Sequence, residues 1–148
     1  MKTFIIFLIS ILSLSSAYCQ DYTQKYNRLM DRTEFYNSNG MMVGYAKENT
    51  LMDRLEYYDN NGNLVKTVKH NTLLNRTETY DNSGNQQGYS KYNSLTNQSE
   101  SYSNNGEKQY TKKWNALLER YDVYDSYGNS VGYYKYNDLM KKWDYYRH

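Results

Sequence analysis

A 22-residue unit runs through almost the whole chain without a slip. Asn stands at 27, 49, 71, 93, 115 and 137, each followed two places on by Leu29, Leu51, Leu73, Leu95, Leu117 and Leu139. Gly recurs at 40, 62, 84, 106 and 128, and Tyr at 36, 58, 80, 102, 124 and 146. A fixed period of this length marks a repeat architecture in which each unit buries its apolar surface against its neighbours. It also argues against a discrete catalytic site, because chemistry needs one special residue in one place.

The first residues stand outside the repeat. Lys2, an apolar run from Phe4 to Leu14, and Ser15-Ser16-Ala17 follow the order of a secretory signal peptide, expected to span 1–19. The run is too short to cross a bilayer. Residues 20–148 then form one repeat domain, with units at 27–48, 49–70, 71–92, 93–114, 115–136 and a partial unit at 137–148. The expected localisation is secreted or periplasmic; lipid anchoring through Cys19 is disfavoured by the bulky Tyr18 before it. Net charge is +2, or +1 without Lys2, with both signs interspersed along the chain. That argues against nucleic acid, an anionic membrane surface or stable membrane insertion, each of which needs a clustered basic or apolar excess.

In the unit 49–70, Arg54-Leu55-Glu56-Tyr57-Tyr58 and Asn63-Leu64-Val65-Lys66-Thr67-Val68 are strand-like and flank Asp59-Asn60-Asn61-Gly62. This is a β-hairpin signal. Asn37, Asp59, Asp81, Ser103 or Asp125 opens the turn with a short polar side chain. Gly40, Gly62, Gly84, Gly106 or Gly128 closes it where φ is positive. A helix capped by Asn is the rival for Asn-x-Leu-Met-x-Arg-x-Glu, but the surrounding Thr, Tyr, Trp, Ser and Val favour strand. With a single bulge at the turn, 36 faces 42, 35 faces 43 and 34 faces 44. Asp31 then faces Lys47, Asp53 faces Lys69 and Glu119 faces Lys135.

The expected fold is all-β. Tandem hairpins form an antiparallel meander of eleven or twelve strands, as an open twisted sheet, a β-solenoid or a closed barrel. One face is nearly invariant, with Tyr58, Glu56, Arg54 and Met52; the other varies between copies. Gly44-Tyr45, Gly88-Tyr89 and Gly132-Tyr133 alternate with Lys66-Thr67 and Tyr110-Thr111, a 44-residue period suggesting hairpins that face opposite ways. The last strand is expected to be an edge guarded by Lys141, Lys142 and Arg147.

Catalysis and metal binding find no candidates. Cys19 is the lone cysteine, and His70 and His148 are the only imidazoles; zinc needs a cluster of such ligands, and no cofactor motif is present. Asn75 and Asn97 fit the N-glycosylation pattern. The remaining candidate is aromatic surface, since Tyr and Trp bind at low entropic cost. Tyr92, Tyr110, Trp114, Tyr134, Tyr136 and Trp143 concentrate it in the C-terminal half.

Segments such as Glu56-Tyr57-Tyr58-Asp59-Asn60-Asn61-Gly62-Asn63-Leu64 and Glu78-Thr79-Tyr80-Asp81-Asn82-Ser83-Gly84-Asn85 resemble the YD repeat of RHS-type exported bacterial proteins. MORN-type and wall-binding repeats look similar. Asn37 and Ser103 depart from the YD pattern, and the chain is far shorter than such shells. The resemblance implies tandem hairpins in an exported protein and carries over no functional residue. The expectation is a non-enzymatic binding or adhesion module presenting tyrosines to a glycan or protein. The alternative is a self-associating structural protein.

Overall fold

The computed structural model describes residues 23–139 and 142–148; the signal peptide, Cys19 and Lys141 lie outside them. The described residues form twelve strands and no helix. These are β1 (Thr23–Asn27), β2 (Arg32–Tyr36), β3 (Met42–Asn49), β4 (Arg54–Asp59), β5 (Leu64–Asn71), β6 (Arg76–Asp81), β7 (Gln86–Asn93), β8 (Gln98–Ser103), β9 (Lys108–Asn115), β10 (Arg120–Asp125), β11 (Ser130–Asn137) and β12 (Lys142–Arg147). Each pairs with its sequence neighbours, and β12 pairs with β1, so the meander closes into a barrel. The expected edge at β12 is thus a seam. Closure removes the unpaired backbone that an open sheet would leave at both ends.

The seam keeps the register of the repeat. Asp122 on β10 faces Tyr133 on β11. Asp144 stands one period after Asp122, and Thr23 is the β1 counterpart of Tyr133; the structure pairs Thr23 with Asp144. The half-unit at the C-terminus and the half-unit at the N-terminus therefore make a sixth hairpin. Six copies surround one axis, and the barrel is pseudo-sixfold.

Two kinds of turn alternate. At one end, Gly62 N donates to the Asp59 carbonyl at 3.1 Å, and Asp59 Oδ1 accepts from the amides of Asn61 at 2.9 Å and Asn63 at 2.8 Å. Gly62 has φ +84, the left-handed region that glycine enters without strain. At the other end, Asn27 Oδ1 accepts from the amides of Leu29 and Met30 at 3.1 Å. Here Asn does cap backbone amides as the helix reading required. The chain then turns back through a left-handed residue: Asp31, Asp53, Asn75, Asn97 or Glu119.

The register departs from the single-bulge expectation. Tyr36 does face Met42, but Phe35 faces Gly44 and Glu34 faces Tyr45. A second bulge follows the turn, and Val43 is the residue passed over. The same shift recurs at Tyr57/Tyr58, Thr79/Tyr80, Ser101/Tyr102 and Val123/Tyr124. Asp31 therefore does not face Lys47; Lys47 faces Glu56 on the next strand, and Lys69 faces Glu78. The glycines of the 44-residue period sit just past this bulge. A Cβ on Gly44 or Gly88 would lie 2.4 Å from the Tyr58 or Tyr102 carbonyl oxygen. Bulges of this kind increase twist and help a sheet close.

Candidate functional site

The two faces of the sheet separate cleanly into an outside and an inside. Phe35 on β2 and Tyr57 on β4 stack with centroids 6.0 Å apart, and Tyr121 on β10 meets Trp143 on β12 at 5.5 Å. These pairs stand two strands apart, where the backbones are roughly 9.6 Å from one another. Side chains converge in this way only on the concave face. Phe35, Tyr57, Tyr121 and Trp143 therefore point into the barrel, and the variable face is the inner wall.

The constant face is outside, where it forms a self-satisfied lattice. Glu78 is its repeating centre. Its Oε1 accepts from Arg76 Nε at 2.7 Å and from Asn71 Nδ2 at 3.1 Å, and its Oε2 accepts from the Tyr80 hydroxyl at 2.6 Å. Glu34 and Glu56 repeat the set. At Glu100, Gln98 replaces the arginine and Lys108 Nζ donates instead at 2.6 Å. The Tyr hydroxyl first, then the Arg and Asn donors, hold the Glu34, Glu56 and Glu78 carboxyls below the ordinary range. Asn27, Asn49, Asn71 and Asn115 each serve twice, once to cap a turn and once to hold a carboxylate.

The hairpins do not face opposite ways; all wind round the barrel in the same sense. The 44-residue period instead builds three columns on the outer face. Tyr45 stacks on Tyr58, Tyr89 on Tyr102 and Tyr133 on Tyr146, each with centroids 5.0 Å apart. Arg32, Arg76 and Arg120 cover the Tyr45, Tyr89 and Tyr133 rings at 4.3, 4.4 and 4.0 Å. Such stacks add about 0.5–1.5 kcal/mol per pair beyond burial.

The six aromatic candidates from the sequence all share the inner face. By register, Tyr92, Trp114 and Tyr136 stand at the mouth beside the Leu-bearing turns, paired with Ser99, Tyr121 and Trp143. Trp114 lies 4.8 Å from Tyr121, and Trp143 lies 5.3 Å from Tyr136. Tyr134 is deeper, against Tyr145 at 4.7 Å. Tyr110 is deeper still, facing Ser101. The opposite sector, around β6 to β8, is mostly small and polar, with Thr77, Thr79, Gly88, Ser90, Ser99 and Ser101 below Tyr92, so the lumen has one aromatic wall and one small polar wall. Turn glycines Gly40, Gly62, Gly84, Gly106 and Gly128 lie at the far end with φ between +76 and +87.

Two inner-wall lysines escaped the sequence reading, because nothing in the repeat tells which face is concave. Burial pushes the Lys66 amine down to about 7 and the Lys112 amine down to about 8. Lys66 Nζ also sits 4.1 Å from the Tyr57 ring centroid, which favours the charged form and opposes that shift. Desolvation dominates, so folding binds fewer protons at Lys66, and stability rises with pH from about 7 towards the unfolded value of about 10.4. Lys66→Met is expected to stabilise the fold by about 1–3 kcal/mol at neutral pH and to flatten that rise. Urea unfolding at neutral and alkaline pH measures both; a less stable Lys66→Met protein would show that the ring contact outweighs desolvation.

His70 is exposed at the mouth with Thr77 Oγ1 at 3.5 Å, while His148 lies at the other end with Ser130 Oγ at 2.9 Å. The two imidazoles thus sit at opposite ends of the barrel. Among the described residues no three His, Cys, Asp or Glu side chains gather as metal ligands, and no helix is long and apolar enough to cross a membrane.

No family model matches the chain, and no curated protein matches it. A protein from Arabidopsis thaliana with a known X-ray structure superposes with a TM-score of 0.65 at 13% identity, covering 86% of this chain and 79% of that one. The likeness is one of fold: a closed meander of antiparallel strands.

Proposed function

We propose that this is an exported, non-enzymatic binding module that takes a glycan or an exposed protein segment at the aromatic mouth of its barrel. The observation that carries the reading is the division of labour between the faces. The constant tyrosines are engaged with each other and with the Arg–Glu lattice, which leaves recognition to the variable inner wall. There Tyr92, Trp114 and Tyr136 are exposed beside Trp143. Flat amphipathic rings with Ser and Thr opposite suit a ligand with both apolar faces and hydroxyl or amide groups.

The structural, self-associating alternative is less well supported. Every described strand has a partner on both sides, so no edge offers itself for strand addition.

Retention on insoluble polysaccharides and on cell-envelope fractions tests the proposal. Trp114→Ala and Tyr136→Ala are each expected to weaken retention about 3–10-fold, the equivalent of one lost stacking contact. Tyr80→Phe, on the outer lattice, should leave binding unchanged. A parent protein retained on neither material, or mouth variants that bind as the parent does, would sink the reading.

A further inference from the structure

Leu29, Leu51, Leu73, Leu95, Leu117 and Leu139 are 91–95% exposed, each at the tip of a loop at the mouth end. Nothing in the turn demands leucine there. The loop is built by the Asn side chain and by the left-handed residue two places after the leucine. A single exposed leucine is unremarkable, but six in equivalent places form a surface with a purpose. The residues that follow, Met30, Met52, Leu74 and Leu118, are about half exposed.

We propose that this end of the barrel docks on a phospholipid bilayer, its leucine tips entering the acyl boundary and a ring of lysines meeting the headgroup phosphates. The proposal does not rest on the ligand assigned to the mouth. Pseudo-sixfold closure sets the six tips at one height around the axis, spaced roughly 12 Å apart on a tilted-strand barrel. A flat, laterally uniform partner can take all six at once. A protein interface needs a contiguous packed centre, which separate tips around a ring do not offer.

The lysines fit that placement. Lys25, Lys47, Lys69, Lys91, Lys113 and Lys135 are all exposed, two residues before the Asn of each loop. Interspersed along the chain, they become a ring in space, roughly 7 Å below the base of the loops. Tyr26, Tyr92, Trp114 and Tyr136 lie at the same end, the side-chain types that favour a membrane–water boundary. Asp31, Glu48, Asp53, Glu119 and Asp138 oppose the attraction, and Asp31 accepts from the Tyr26 hydroxyl. Each ring lysine also faces a carboxylate on a paired strand: Glu34, Glu56, Glu78, Glu100, Asp122 or Asp144. With Arg32, Arg54, Arg76 and Arg120 beside the loops, bases and acids at this end are nearly equal in number, so the lysines meet phosphates locally rather than through a net basic field. The opposite end presents Asn, Asp, Ser and Gly tips, with Tyr127 and Met41 as exposed exceptions.

The test uses residues 20–148, whose strands all pair within the described barrel. Vesicles of equal parts phosphatidylglycerol and phosphatidylcholine are compared with phosphatidylcholine alone by co-sedimentation and by Trp114 fluorescence. The parent should bind both kinds of vesicle with a blue-shifted emission. Combining Leu51→Ser, Leu73→Ser and Leu95→Ser should weaken binding at least about tenfold, with an unchanged circular dichroism spectrum and urea midpoint. Combining Lys47→Gln, Lys69→Gln and Lys91→Gln should weaken binding to both vesicles. The proposal fails if the parent binds neither vesicle, or if the folded leucine variant binds as the parent does. It also fails if the leucines support a dimer or capture of a protein in solution without vesicle binding.

Discussion

A chain that stops at Asn137 is expected to lose cooperative folding altogether. β12 is the one strand between β11 and β1. Its removal breaks the barrel, frees two strand edges and opens the inner wall, with Phe35, Tyr57, Tyr121 and Tyr134, to water. It also takes away Tyr146, the partner of Tyr133 in one of the three outer columns, and Trp143, which joins Tyr121 and Tyr136 at the mouth. A domain of this size has only about 5–15 kcal/mol of net stability, and an open sheet of this kind loses more burial than that margin allows. Urea unfolding followed by circular dichroism, with gel filtration, should show no cooperative transition and an expanded or aggregated species. A sharp transition near that of the parent would mean that the sheet stands without its seam.

Glu78→Ala should destabilise the barrel by about 2–4 kcal/mol, because it strands the guanidinium of Arg76, the Tyr80 hydroxyl and the Asn71 amide together. The Glu78 side chain is 7% exposed and that of Arg76 20%, yet both lie on a single outer layer close to water. The lower part of the range is therefore expected. Glu78→Gln keeps an acceptor but loses the charge, and should fall between. The pH dependence follows from the same contacts. A carboxylate whose pKa is lowered by folding stabilises fully above its unfolded value of about 4.3. That contribution is lost as pH falls through the folded value. Tyr80 is raised by the same hydrogen bond, so its contribution is present below about pH 10 and fades as pH climbs through its folded value. Glu78→Ala should therefore show a shallower loss of stability at acid pH than the parent, measured by urea midpoints across the acid range.

Much of this architecture was legible because the repeat states it six times. Asn, Asp or Ser at the first turn position and Gly at the fourth gave the hairpins. The two half-units at the termini held the closing hairpin, but the last strand was expected to be an edge. The second bulge was harder to see. Gly44, Gly88 and Gly132 hint at it, but Lys66 and Tyr110 fill the same slot, so the signal is present in only part of the copies. Missing it shifted the strand pairing by one residue. The concave side was illegible for a different reason. Curvature belongs to the closed sheet, and no residue in a single unit records it. Hence the aromatic candidates could be named without knowing that they share an inner wall, and nothing singled out Lys66 or Lys112. The leucines were visible as a pattern from the first line. Their meaning required knowing that they stand on loop tips, which a helix or strand assignment to Asn-x-Leu-Met hides.

Closure is the claim on which the rest depends, since it decides which face is inside and puts the leucines in one ring. A double variant, Thr23→Cys with Asp144→Cys in residues 20–148, tests it directly. These residues are paired across the seam, and a disulfide needs Cα atoms about 4.4–6.8 Å apart. The account predicts rapid oxidation to an intramolecular disulfide in the monomer, detected as a reducible shift on a denaturing gel. Thr23→Cys with Asp122→Cys should not cross-link. In an open twelve-stranded sheet the first and last strands would lie roughly 50 Å apart, so a protein that forms no disulfide, or only links between molecules, would contradict the closed barrel.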